Sequence, residues 1–210
     1  MKTATEAYAL LTEGNLRYSG QSSNKAQSQR QLSDGHQFIA QQRPHTIVIG
    51  CSDSRVPVEL IFDQGFGDLF VVRVAGNILA PSLVGSVEFA AAEFGSRLVV
   101  VLGHRHCGAI GATINCIQQS QQAPSPNINV IVDTISQNVA DLFDNNNAAD
   151  LSADELNLQA MRANVAASAN FLRRESPVLK LLIENDVLQV IGAVFDVETG
   201  VVDFFDGAPL

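Results

Sequence analysis

Two short segments carry the residues best suited to chemistry: Cys51-Ser52-Asp53-Ser54-Arg55 and Gly103-His104-Arg105-His106-Cys107-Gly108. Together they offer two thiolates, one imidazole, and a carboxylate beside a guanidinium. Cys51, His104 and Cys107 can hold a zinc ion as three protein ligands and leave a fourth position for water, the feature that separates catalytic zinc sites from structural ones. His104 and Cys107 are three apart, a spacing that suits a turn into a helix. Asp53 lies one residue from Arg55's neighbour, and a guanidinium so close holds a carboxylate ionised. An ionised Asp53 only accepts hydrogen bonds, so it can orient a metal-bound water. Two plainer readings stand beside these. Cys51 and Cys107 could be small buried hydrophobes, and Asp53–Arg55 an ordinary loop ion pair of little worth.

The elements around these segments alternate. Continuous apolar runs predict strands at Thr46–Gly50, Leu69–Ala75, Leu98–Gly103, Leu188–Asp196 and Val201–Phe205. Such runs suit parallel strands covered on both faces. Glu198-Thr199-Gly200 signals a hairpin joining the last two strands. Helices are expected over 3–18, over Pro57–Phe62, Ser82–Phe94 and Gly108–Gln119, from a capping box at Ser152–Glu155 to about Arg174, and from Ser176-Pro177 to about Glu184. Residues 20–31 are polar and irregular, and Ser33 caps a short helix to Gln41. Residues 118–127 and 145–147 read as loops. The expected fold is α/β: a central, mostly parallel sheet of four parallel strands plus one antiparallel edge strand, covered by helices. The whole chain, 1–210, forms one domain, with residues 1–42 as a helical arm on a neighbouring subunit. Cys51 then ends the first strand and His104 the third, and ligand sites of open α/β sheets form at such carboxyl ends.

Composition narrows the partners. A net charge of −9 over 210 residues, with no basic cluster, argues against nucleic acid. No stretch approaches the roughly 18 apolar residues of a membrane span. The first residues lack a signal-peptide pattern, which predicts a cytoplasmic protein. Three cysteines make an odd count without a disulfide-scaffold spacing, so metal binding is the better use for some of them. Cys116 is expected to pack in its helix. Gly103, Gly108 and Gly111 do not form a dinucleotide-binding fingerprint, so no nucleotide cofactor is expected.

Cys-Ser-Asp-Ser-Arg, followed 53 positions after Cys51 by His104 of Gly-His-x-x-Cys-Gly, resembles the β-class carbonic anhydrases. The likeness runs from about Glu6 to Phe205 and includes Leu69-Phe70-Val71-Val72-Arg73-Val74-Ala75-Gly76-Asn77. The resemblance implies a zinc-dependent lyase that reversibly hydrates CO2 to bicarbonate and a proton. It implies Cys51, His104 and Cys107 as zinc ligands, one ion per chain, with Asp53 and Arg55 as the catalytic dyad. Gly108 matches the glycine whose N–H holds bicarbonate. Gln42, Phe70, Ala75 and Phe89 match the substrate pocket of plant-like members, which commonly carry Tyr at the place of Phe89 and Val at that of Ala75. It further implies a homodimer, often paired into a homotetramer, with the active site at the subunit boundary.

Some bacterial members hold an inhibitory bicarbonate with a tryptophan before the first cysteine. This chain has no Trp, and Val48 stands there, although Arg73 of that site is present. The expected type is therefore the open one, with water as the fourth ligand. His45 and His106 are candidate proton shuttles. The same motifs also suit a hydrolase of carbonyl sulfide or carbon disulfide, and less well a zinc-sensing module, which would want a closed four-ligand site.

Overall fold

In the computed structural model, residues 2–20, 42–144, 148 and 150–208 are described. The expected capped helix at 33–41, most of the polar 20–31 stretch and the 145–147 loop lie outside them.

A single sheet of five strands runs through the middle: β1 (Thr46–Gly50), β2 (Leu69–Arg73), β3 (Leu98–His104), β4 (Gln189–Phe195) and β5 (Val202–Asp206). Their spatial order is β2-β1-β3-β4-β5, with β5 alone antiparallel. The helices are α1 (Ala4–Tyr18), α2 (Val58–Ile61), α3 (Pro81–Glu93), α4 (Gly108–Gln119), α5 (Pro126–Asp144), α6 (Ala153–Glu175) and α7 (Pro177–Glu184). The architecture is the expected one. No described helix is long and apolar enough to cross a membrane.

The central strands are buried end to end, with all seven residues of β3 covered. Their alternate side chains feed two cores. Ile47, Ile49, Val99 and Val101 face Ile110, Ile135, Met161, Val165 and Leu172. Val48, Leu98, Val100 and Leu102 face Ala7, Leu11, Val56, Ile61 and Phe62. Helix α6 rides close over β3 because Gly103 presents no side chain. A Cβ there would lie 2.2 Å from the sulfur of Met161.

Two differences from the sequence-based expectation have physical causes. First, β2 stops at Arg73, because the chain turns through a 3-10 turn over Ala75–Asn77 with Gly76 at φ +69°. Second, Pro126–Asp144 forms a 19-residue helix not expected from sequence. Its start is a serine–proline pair like that of α7: the Ser125 hydroxyl accepts from Ile128 N–H at 3.3 Å. Helix α1 is anchored to its own chain. Ala7 and Leu11 are fully buried in the second core, Asn15 donates to the Ile61 and Gly200 carbonyls and accepts from Val202 N–H, and Arg17 pairs with the buried Asp63.

Candidate metal centre

Neighbouring strands β1 and β3 end side by side, and the chain leaves each in a tight turn. Cys51 follows β1, His104 closes β3, and Cys107 precedes α4. All three are buried, and their ligand atoms lie within 4.8 Å of one another. The sulfurs are 3.9 Å apart. His104 is fully buried, and its Nδ1 lies 3.0 Å from the Arg105 carbonyl, which fixes Nδ1 as the protonated nitrogen. Its Nε2 then carries a lone pair, and it has no hydrogen-bond partner although it is shut off from solvent. A buried acceptor left alone is costly. A cation between Nε2 and the two sulfurs removes that cost.

The sulfurs point the same way. Two buried thiolates in contact repel, so one ionises readily and the other does not. Cys51 is pushed down to about 4, chiefly by its hydrogen bond from Cys107, with His104 and the N–H groups of Gly76 and Asp53 assisting. Cys107 is pushed up, chiefly by its contact with Cys51 and then by burial. A divalent ion makes both anionic at once. Two sulfurs and one nitrogen are a soft set that suits zinc, so the residues present fit that ion.

Asp53 stands at the edge of this group, with Oδ2 3.8 Å from His104 Nε2. Arg55 grips it in a fork: Nε donates to Oδ1 at 3.0 Å and Nη2 to Oδ2 at 2.8 Å, and the Arg55 N–H adds a third bond to Oδ1 at 2.9 Å. That fork, first among several causes, holds the Asp53 carboxyl well below the usual carboxylate range. Arg55 Nη2 also donates to the His106 carbonyl at 3.1 Å, tying the two motif loops together.

Arg73 braces the first loop from the edge strand. It donates to the Cys51 carbonyl at 2.9 Å and to the Asp53 carbonyl at 2.6 Å. Gly76 N–H points at Cys51 Sγ at 3.4 Å. Neither role was read from sequence. The signals were an arginine in an apolar strand and a glycine three residues after it. Two non-glycine residues with left-handed backbone flank the cluster, Asn77 at φ +42° and His106 at φ +55°. Such conformations persist where surrounding structure enforces them.

Ala75 begins the turn that brings Gly76 to Cys51, and Gly108 opens α4 beside Cys107. A Cβ on Gly108 would meet nothing within 4 Å, so this exposed glycine borders open space at a helix N-terminus, where anions are favoured. The other three expected pocket residues lie elsewhere. Phe70 is level with Ile47, four residues before Cys51, which is about 13 Å along the strand. Phe94 links Phe70 to Phe89, with ring centroids 6.0 and 5.5 Å away. Gln42 lines a hollow at the same amino ends of the strands with His45, Asp68 and Phe94. Within one chain, then, Gln42, Phe70 and Phe89 do not join the metal cluster, because they sit at the opposite end of β1 and β2. Phe89 is 54% exposed.

Of the candidate shuttles, His45 is buried between the Thr46 hydroxyl at 2.8 Å and Gln64 Oε1 at 3.1 Å, so it packs rather than carries protons. His106 is exposed, 3.4 Å from Glu198. Cys116 lies on α4 outside the cluster. Glu88 accepts from the Ser176 hydroxyl at 2.6 Å.

The comparison with known proteins covers the stretch of chain that holds these residues. A family model described as carbonic anhydrase matches residues 46–202, from the first residue of β1 to the first of β5. The chain belongs to the carbonic anhydrase family. It is 38% identical over 135 residues to a carbonic anhydrase of Mycolicibacterium smegmatis, covering 63% of each chain. It is 35% identical over 178 residues to one of Pseudomonas aeruginosa, covering 81% of this chain and 77% of that one. The chain thus spans somewhat under two thirds of the length of its mycobacterial relatives. Among solved structures, the β-carbonic anhydrase CcaA superposes with a TM-score of 0.70 at 28% identity, covering 85% and 84% of the two chains. The β-carbonic anhydrase CafA of Aspergillus fumigatus gives 0.69 at 27% identity, covering 87% and 82%. With its sheet order and its Cys–His–Cys cluster, this carbonic anhydrase family member is of the β-class.

Proposed function

We propose that the protein reversibly hydrates CO2 to bicarbonate and a proton, on one zinc ion held by Cys51, His104 and Cys107. The observation that carries this is the buried, unpartnered Nε2 of His104 converging with two sulfurs beside an arginine-held carboxylate. A zinc ion bound there supplies the Lewis acidity that makes a water a nucleophile near neutral pH.

The chain's own residues do the rest. Asp53, kept ionised by Arg55, accepts a hydrogen bond from the attacking water at Oδ2 and aims its lone pair toward substrate. Because both Asp53 oxygens are engaged by Arg55, the carboxylate is turned to the guanidinium, which supports the open arrangement with water as fourth ligand. Val48 supports it too, since this buried side chain offers no indole to a second anion. Arg73 is committed to the two loop carbonyls rather than to such an anion. The Gly108 N–H stabilises the oxyanion of bicarbonate, and Ala75 leaves room beside it.

Gln42, Phe70 and Phe89 complete the pocket from a second copy of the chain across a two-fold axis, which makes the homodimer, alone or paired into a tetramer, the working unit. Their distance from the metal cluster in their own chain and the exposure of Phe89 support this reading. The unpaired thiols suit a reducing cytoplasm. Oxygen-isotope exchange between bicarbonate and water tests the assignment of Asp53. Asp53→Asn keeps zinc but exchanges at least about 10²-fold more slowly; near-normal exchange would remove Asp53 from the reaction.

A further inference from the structure

Two buried polar residues, Asn164 and Ser168, interrupt the apolar face that α6 presents to the protein interior. Asn164 is 0% exposed among Ala160, Met161, Val165 and Ala169. Burying an amide there is unfavourable unless its partners are fixed. They are. Asn164 Nδ2 donates to the Gly76 carbonyl at 2.9 Å, and its Oδ1 accepts from Asn138 Nδ2 on α5, also at 2.9 Å.

Gly76 is the residue whose N–H reaches Cys51 Sγ at 3.4 Å. It has little freedom: its φ is +69°, and a Cβ would lie 2.7 Å from Ile135 and 3.1 Å from Ala109. The amide of Asn164 therefore holds the carbonyl on the far side of the Gly76 Cα, and the confined φ and ψ of Gly76 pass that restraint to the N–H that faces the sulfur. Three links run in series: Asn138 orients Asn164, Asn164 orients Gly76, and Gly76 donates to Cys51.

We propose that Asn164, set by Asn138, is a positioning residue for the metal site: it holds the Gly76 N–H on Cys51 and so limits how much charge that thiolate gives to the metal. The proposal rests on the reading of Cys51 as a ligand. A hydrogen bond to a thiolate draws electron density from sulfur, weakens it as a donor and leaves the metal more electrophilic. The purely structural alternative is that Asn164 only satisfies the buried Gly76 carbonyl. That role predicts lost stability but an unchanged sulfur–metal bond.

The cobalt(II)-loaded protein separates the two, because its thiolate-to-metal charge-transfer band reports sulfur donor strength directly. Asn164→Ala is expected to move that band to longer wavelength and to change zinc affinity by about tenfold in a chelator competition. Asn138→Ala, at a half-buried outer link that tolerates truncation, should move both in the same direction by less, and it decides the matter if Asn164→Ala does not fold. Val139→Ala, in the core of the same helix α5, should lower the melting temperature and leave the band where it is. An unmoved band in Asn138→Ala, or an equal shift in Val139→Ala, overturns the proposal while leaving the metal site standing. A wild-type protein without any thiolate–cobalt band overturns the ligand reading and this proposal with it.

Discussion

His104 shows how much one side chain decides. Its Nδ1 is committed to a backbone carbonyl, so the tautomer is set and Nε2 faces the two sulfurs with a lone pair. Removing a sulfur should therefore release the metal rather than loosen it. Cys107→Ser is expected to carry little zinc after dialysis, by elemental analysis, and to keep its far-UV circular dichroism; full zinc occupancy would assign the ligand role elsewhere. Asp53 is a different case, because it sits beside the Cys–His–Cys cluster and outside it. Its folded pKa is depressed by Arg55, so its stabilising contribution is present above the ordinary carboxylate range and is lost only as pH falls through the lower folded value. Asp53 consequently stays ionised across neutral and mildly acidic pH. Any acid limb of activity in that range should stay in place in Arg55→Lys, measured as a pH–rate profile; a limb that moves to higher pH would show that it reports Asp53.

At the level of elements, the strands were the legible part. The runs before Cys51 and through His104 are continuous and β-branched, so both ligands could be placed at strand ends. Helix α5 was not legible. Its buried positions Val132, Ile135 and Val139 keep helical spacing, but Asn, Gln, Ser and Asp dilute the pattern, and the preceding Gln/Ser/Pro stretch reads as loop. The turn at Ala75–Asn77 was hidden by the opposite effect, since Val74 and Ala75 extend an apolar run past Arg73, the strand's last residue. Packing between elements gives two tests. Gly103→Ala drives a methyl into Met161 and should cost about 1–3 kcal/mol in urea unfolding; an unchanged midpoint would mean that α6 shifts freely over β3. His45 is pushed down from 6.5 by burial, so it stays neutral while the unfolded chain takes up a proton. Stability should fall as pH drops below about 6.5, and His45→Gln should flatten that slope in thermal melts across the same range; an unaltered slope would assign it to other groups.

At the scale of the whole molecule, the proposed dimer would bring together what a single chain leaves apart. The metal cluster lies at the carboxyl ends of β1 and β3, while Gln42, Phe70 and Phe89 lie at the amino ends of the same sheet. A sequence carries no signal for which copy of a chain would supply a pocket wall, so the resemblance implies all of these residues without dividing them between copies. Mixing subunits tests the cross-chain reading. Asp53→Asn and Gln42→Ala chains, each impaired alone, should recover activity when reassembled together, up to about a quarter of all sites in a two-fold dimer; no recovery would mean that each chain builds its pocket alone. The central claim is the activity itself. Stopped-flow CO2 hydration on protein whose zinc content is measured in the same sample tests it most directly. The account predicts hydration that rises in proportion to zinc up to one ion per chain and disappears in Cys107→Ser; one zinc per chain without hydration would contradict it.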